Sequence, residues 1–163
     1  MKNKSIYYDI YSEFNNVNKY REMKNIVHHG NNRLSHINRV AKLSFLISKK
    51  LRLDYISCTR GAMMHDFFTM EDSSREEYKK IQLLKVHPSK ALYNSLQYFD
   101  VNDIEKDIIL SHMYPITRKR PECMEAKVVC FTDKIVSIYE FFRYQLKFSV
   151  NIGMIFIIRF MHI

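Results

Sequence analysis

Residues that break helices are scarce in this sequence. Its 163 residues include only 3 glycines and 3 prolines. Sandwiches and barrels of β-strands need many tight turns, which glycine and proline most often supply. No segment alternates cleanly between apolar and polar residues, the pattern of a half-buried strand. We therefore expect an all-α protein built from long helices.

Cysteine is also rare. The three cysteines, Cys58, Cys123 and Cys130, are odd in number and show no C-x-x-C spacing. Disulfide scaffolds use paired cysteines, and zinc fingers use closely spaced ones, so neither class fits. We expect free thiols in a protein of the reducing cytoplasm.

Long apolar runs are missing as well. Residues 1–20 are polar and charged, unlike the apolar core of a signal peptide. The apolar segment at residues 149–163 is shorter than the roughly 20 residues that cross a bilayer. We expect this tail to pack in the core or to contact a second copy in a homodimer, and we expect no membrane partner.

Acidic residues are outnumbered by basic ones, 17 to 26, which gives a net charge of +9. A basic chain favours anionic partners. The charges are spread along the sequence with only short clusters at residues 49–52 and 118–120. This pattern indicates a solvated basic surface suited to a small phosphate-bearing substrate, and it is a weak case for a nucleic-acid interface.

Helical periodicity runs through a chain of about one domain's length. We expect a single domain over residues 1–163, with a core at about 33–147, a preceding helix and the apolar tail. Asp54 is a predicted helix N-cap, as is Asn102 or Asp103. Pro88 is predicted at the first position of a helix. The predicted helices cover residues 6–27, 33–51, 55–64, 89–99, 103–112 and 122–147, and the last can continue into the tail.

Histidines and aspartates form a series in which each member, or adjacent pair, lies on or at the end of a different predicted helix. The series is His36, His65 with Asp66, His87, His112 and Asp133. Packed helices can each direct one ligand into a shared centre. A carboxylate that faces a core is costly unless it is paired or metal-bound. The series therefore predicts a site for a divalent transition metal, although each histidine alone fits a hydrogen-bonded core residue.

Five segments in order resemble the HD superfamily of metal-dependent phosphohydrolases: SHINRVAKLSFLISKKLRLD, RGAMMHDFF, HPSKAL, IILSHMYP and VVCFTDKI. The resemblance covers about 100 of the 163 residues. It implies an HD-domain, phosphodiesterase-like helical bundle. It also implies that one divalent metal is held by His36, His65, Asp66 and Asp133.

The resemblance extends to a second metal. Some branches of the family add two histidines between the HD pair and the last aspartate, where this chain has His87 and His112. We therefore favour two ions per chain over one. Iron and manganese are the favoured metals, and magnesium, cobalt, nickel and zinc are alternatives. In this interpretation His65 and Asp66 are the catalytic residues, and Asp66 orients a metal-activated water.

Two positions depart from the family pattern. Thr69 stands where many relatives carry a lysine, and Met113 stands where the cyclic-dinucleotide branch carries a second histidine. These departures weaken the match to that branch and leave the ligand series intact. Cations that could meet a substrate phosphate are Arg39, Lys134 and Arg118, each of which could equally be an ordinary surface charge.

The functional prediction is a phosphohydrolase that acts on a nucleotide or another phosphate ester. One alternative is a non-catalytic HD regulatory domain that binds a metal or a nucleotide. Another is a basic helical protein that binds nucleic acid, in which the ligand series would be a coincidence.

Overall fold

Helices dominate the computed structural model, which describes residues 2–28, 31–68 and 80–161, with side-chain surroundings for 6–26, 32–68 and 85–146. The all-α prediction is confirmed. Two strands of two residues each, β1 (Val27–His28) and β2 (Asn31–Asn32), pair antiparallel before the third helix. The helices are α1 (Lys2–Asn15), α2 (Asn18–Arg21), a 3₁₀ turn (Glu22–Asn25), α3 (Arg33–Lys50), α4 (Tyr55–Met64), α5 (Lys80–Tyr98), α6 (Asp103–Ser111) and α7 (Met124–Met161).

Side-chain caps fix where three of these helices begin. The Asn32 side chain accepts a hydrogen bond from the Ser35 amide at the start of α3. Asp54 caps α4, as its position before the apolar run predicts. Asn102 caps α6 in a reciprocal capping box with Glu105. Each cap satisfies an amide that would otherwise lack a partner in the first turn.

The core forms where α4 packs between α3, α6 and α7. Ile37, Ala62, Met63 and Ile108 are fully buried there. A Cβ atom on Gly61 would lie 2.6 Å from the Ile108 Cδ1 atom, so α4 and α6 approach this closely only because position 61 is glycine. This close packing brings the ends of α4 and α6 together.

The predicted helix over residues 6–27 is wrong. The chain leaves α1 at Asn15 and restarts in α2 and the 3₁₀ turn. Asparagine side chains compete with the helical backbone for hydrogen bonds, and residues 15–18 include three of them. The break lets Phe14 and Tyr20 both enter the core, with ring centroids 5.3 Å apart.

The predicted helix start at Pro88 is also wrong, because α5 begins eight residues earlier at Lys80 and contains Pro88. A proline inside a helix removes one backbone hydrogen bond. Pro88 is itself buried, so its packing offsets part of that loss. As a result His87 lies within α5 and does not precede it.

The last helix was predicted over residues 122–147 with a possible continuation. It begins at Met124 and continues to Met161, so the tail does extend it. Residues 141–146 are exposed on every side of the helix. Among the helices of the described residues, none is both long and apolar enough to cross a membrane. The three cysteines are free, as expected.

Candidate metal centre

Five helices bring the predicted ligand series together at one place. His36 lies on α3, His87 on α5 and Asp133 on α7. His65 is the C-cap of α4, with Asp66 directly after it, and His112 is the C-cap of α6. All six side chains are buried: His36, His65, Asp66, His87, His112 and Asp133. Residues spread over about 100 positions of sequence therefore face a common interior.

The candidate ligands form two triads. His36, His65 and Asp66 make the first triad, and Asp66, His87 and His112 make the second. Within each triad the possible ligand atoms all lie within 4.8 Å of one another. An ion about 2 Å from each ligand atom needs a group of about this size. Each triad could hold a metal ion, and Asp66 belongs to both.

Backbone carbonyls orient two of the histidines. The His65 Nδ1 donates to the Ala62 carbonyl over 2.7 Å, and the His112 Nδ1 donates to the Ile109 carbonyl over 2.8 Å. The proton on Nδ1 leaves the Nε2 lone pair of each ring facing the centre. This is the arrangement by which metal-ligating histidines are usually held.

The Nε2 atom of His65 is buried and has no hydrogen-bond partner. The Asp133 Oδ1 atom lies 3.7 Å from it, and the Asp66 Oδ2 atom lies 4.0 Å from it. Buried polar atoms without a partner are rare and point to an absent ion or water. A metal ion between His65 and the two carboxylates would satisfy this atom.

His36 lies between two carboxylates. Its Nδ1 is 2.9 Å from Glu140 Oε2, and its Nε2 is 3.1 Å from Asp133 Oδ1. Burial disfavours the charged ring, but the hydrogen bonds to Asp133 and Glu140 outweigh burial and raise the pKa of His36 to about 10. Burial alone would raise the pKa of Asp133. Its hydrogen bonds to His36 and His65 outweigh burial and hold that pKa well below the usual range.

The second triad has less negative charge around its imidazoles. The Nε2 atoms of His87 and His112 lie 2.9 Å apart, and Asp66 Oδ1 lies 3.3 Å from His87 Nε2. Burial and the neighbouring His65 and His87 lower the pKa of His112 to about 3. His112 is therefore neutral near pH 7, which is the form that binds metals.

Glu140 is a site residue that sequence analysis missed. It is fully buried, and its two carboxylate oxygens bind His36 and Arg39. Burial would raise its pKa, but these two partners lower it. Helical phase was the available signal, because Glu140 lies seven residues after Asp133, two turns along the same face of α7. A carboxylate behind a ligating histidine raises the basicity of that ligand.

A second missed residue is Arg33, which is buried at the start of α3. Its guanidinium donates to the Phe68 carbonyl and lies 3.8 Å above the centre of the Phe68 ring. The Phe68 ring in turn packs against His87 at 5.2 Å between centroids. Arg33 thus holds the segment that directly follows the HD pair.

The three predicted phosphate contacts lie in different surroundings. Arg39 pairs with Glu140. Lys134 donates to the carbonyls of His112 and Cys130 over 3.2 and 3.0 Å. Arg118 is exposed in the segment between α6 and α7. Arg39 and Lys134 therefore already have protein partners next to the centre, whereas Arg118 contacts none of the candidate ligands whose surroundings are described. Thr69 lies outside the described residues.

The donor set fits a divalent metal ion. Asp66, Asp133 and Glu140 are buried together, and the cations beside them are Arg39, which pairs with Glu140, and His36, which lies between Glu140 and Asp133. Uncompensated charge is costly in a protein interior, and a divalent cation offsets two negative charges at once. Imidazole nitrogen and carboxylate oxygen suit the divalent transition metals.

Comparison with known proteins adds no relative. No family model, no curated protein and no solved structure matches this chain. The case for its function therefore rests on its own residues.

Proposed function

We propose that this protein is a metal-dependent phosphohydrolase of the HD type that acts on a nucleotide or another small phosphate ester. The observation that carries the proposal is the position of Asp66, a buried carboxylate common to two triads of metal-binding side chains. The order of His36, the His65-Asp66 pair and Asp133 in the sequence, which resembles the HD superfamily, supports it further.

The division of work among the residues follows from their contacts. A divalent metal held by these side chains would lower the pKa of its bound water toward neutrality and polarise a phosphoryl oxygen. His65 and His112 present Nε2 to the centre because their Nδ1 atoms donate to helix carbonyls. Asp66 lies between the triads, where its carboxylate can accept a hydrogen bond from an attacking water and orient it. Glu140 holds the His36 ring in place.

The proposed metal is iron or manganese, with magnesium, cobalt, nickel and zinc as alternatives. Imidazole and carboxylate ligands in a two-metal site suit these ions. No cysteine belongs to either triad within the described residues, so a thiolate-selected metal is not favoured. We propose two ions per chain, one in each triad.

A direct test measures phosphate or nucleotide release by the purified chain loaded with Mn²⁺ or Fe²⁺. The substrates are a panel of nucleotides together with mono- and bis-p-nitrophenyl phosphate. We expect metal-dependent release from at least one of them, reduced by about 10³-fold or more in Asp66→Asn. Lys42→Gln, an exposed change on α3, is the control.

Two negative results lead to different conclusions. If the metal is bound but nothing is hydrolysed, the protein is the non-catalytic metal- or nucleotide-binding domain. If no metal binds, the metal centre itself is refuted. Tight nucleic-acid binding with a steep salt dependence that persists without metal would favour the third class of protein instead.

A further inference from the structure

A second candidate binding site lies between the end of α6 and the start of α7. It is a pocket of about 460 Å³ open to solvent. Small-molecule sites usually have volumes of about 300–1,000 Å³. Its walls include the rings of Tyr114, Pro121 and Phe131, and its cations are Arg120, Lys127 and Lys134. None of the six candidate metal ligands lines it.

The charge of the pocket has one sign. Its lining contains three cations and no acidic residue. Within the described part of the chain, no carboxylate forms an ion pair with Arg120, Lys127 or Lys134. Lys119, directly before Arg120, differs because it pairs with Glu122 and Asp107. Cations without a carboxylate partner therefore stand around a mostly apolar pocket, which favours an anion that has an apolar part.

Aromatic rings give the pocket a second property. Phe131 is 58% exposed although it lies beside buried residues of α7. The guanidinium carbon of Arg120 lies 5.8 Å from the centre of the Tyr114 ring. Exposed rings beside cations are the combination on which nucleobases stack while their phosphates meet positive charge.

We propose that this pocket binds an aromatic anion of the nucleotide class, separately from the metal centre. The base packs on Phe131 and Tyr114, and the phosphate meets Arg120 and Lys127. Lys134 also lines the pocket, and its ammonium group already donates to the His112 carbonyl. The proposal does not depend on hydrolysis at the metal centre, because none of the six candidate metal ligands lines the pocket.

Calorimetric titration of the full chain tests this assignment, with AMP, adenosine and inorganic phosphate as probes. The protein is kept free of metal, because a metal-loaded centre would itself bind a phosphate and obscure binding at the pocket. We expect AMP to bind at least about tenfold more tightly than either of its parts, because only AMP uses both the rings and the cations.

Paired variants locate the binding. Arg120→Gln with Lys127→Gln should weaken AMP binding by about tenfold, as expected for two partly exposed charge contacts. Lys42→Gln with Lys50→Gln makes the same change in net charge on the exposed face of α3 and should leave AMP binding within about twofold. Phe131→Ala should weaken AMP binding and leave phosphate binding unchanged.

Several results would overturn the proposal. Absence of AMP binding at millimolar concentration would refute the site. Equal loss of affinity in both charge-matched pairs would show attraction to net charge alone. Phosphate binding as tight as AMP binding would remove the aromatic part of the assignment.

Discussion

The two triads that share Asp66 differ in the negative charge around them. Asp133 lies 3.1 Å from His36 and 3.7 Å from His65, so the first triad has a further carboxylate at hand, and Glu140 binds the far side of His36. The second triad instead places two imidazole nitrogens 2.9 Å apart. Identical residue types thus occupy two different electrostatic environments only a few ångströms apart.

The pKa directions reflect this difference. Carboxylates raise the pKa of His36 and of His65 against the effect of burial, while burial and neighbouring histidines lower the pKa of His112. The surroundings that favour a proton on the first two rings also favour a metal cation once the protons leave. We therefore expect the first triad to bind its metal more tightly than the second.

The largest expected effect follows from removing the shared residue. Asp66→Ala deletes a ligand from both triads, so metal content should fall from about two equivalents per chain to nearly none. Elemental analysis of protein purified with excess Mn²⁺ measures this. Circular dichroism of the variant checks that the helices are retained. Undiminished metal content would contradict the sharing of Asp66.

Variants that each remove a ligand from one triad separate metal binding at the first triad from metal binding at the second. His87→Ala should leave about one tightly bound equivalent, since the first triad stays intact. His65→Ala should remove the tight ion and leave only weak binding. Metal titration of the two purified variants makes the comparison. A His87→Ala protein that has lost its tight ion, beside a His65→Ala protein that keeps one, would reverse the proposed ranking.

Thermal unfolding gives a smaller, whole-protein measure of the same ranking. Free Mn²⁺ at about 100 times its dissociation constant should stabilise the fold by about 2.7 kcal/mol. For a chain of this size, that corresponds to a rise in Tm of about 5–10 °C. His87→Ala should keep most of the rise and His65→Ala little of it. Equal rises in both variants would argue against a tighter first triad.

The smallest expected effect comes from the residue behind His36. Glu140→Gln keeps the size of the side chain and removes its charge, so metal affinity at the first triad should fall by about 10–100-fold. Competition with a chromophoric chelator measures the affinity. Glu122→Gln, on an exposed glutamate near the start of α7, is the matched control. An unchanged affinity in Glu140→Gln would show that Glu140 only stabilises the fold.

The series His36, His65, Asp66, His87, His112 and Asp133 was predicted because its members lie on, or at the end of, different predicted helices and because five segments in order resemble the HD superfamily. Both are features of the sequence alone. Glu140 was missed because the residues on both sides of it in the sequence, Ile138, Tyr139, Phe141 and Phe142, are all apolar, so the hydrophobic pattern marks no inner face. Its partner His36 is 104 positions away, and only the packing of α3 on α7 brings them together.

The two errors in helix bounds have the same origin. The 6–27 prediction followed periodicity across asparagines that end α1, and the position of Tyr20 is set by its hydrogen bond to the distant Met63 carbonyl. The start of α5 was assigned to Pro88 by a local rule. Pro88 is buried within a continuous helix, and burial is not a local feature of the sequence. Tertiary packing decided both cases.

The helix ends at His65 and His112 bear on the order in which ligands arrive. Both residues cap the C-termini of their helices, α4 and α6, so the negative poles of two helix dipoles meet beside Asp66 and Asp133. Both poles favour a cation at this place, and in the metal-free protein part of that demand is met by the proton on His36, whose pKa is raised to about 10. A bound metal would displace such protons and give a phosphate ester a positive partner. The proposed hydrolysis should therefore follow a compulsory sequence, with metal first and substrate second.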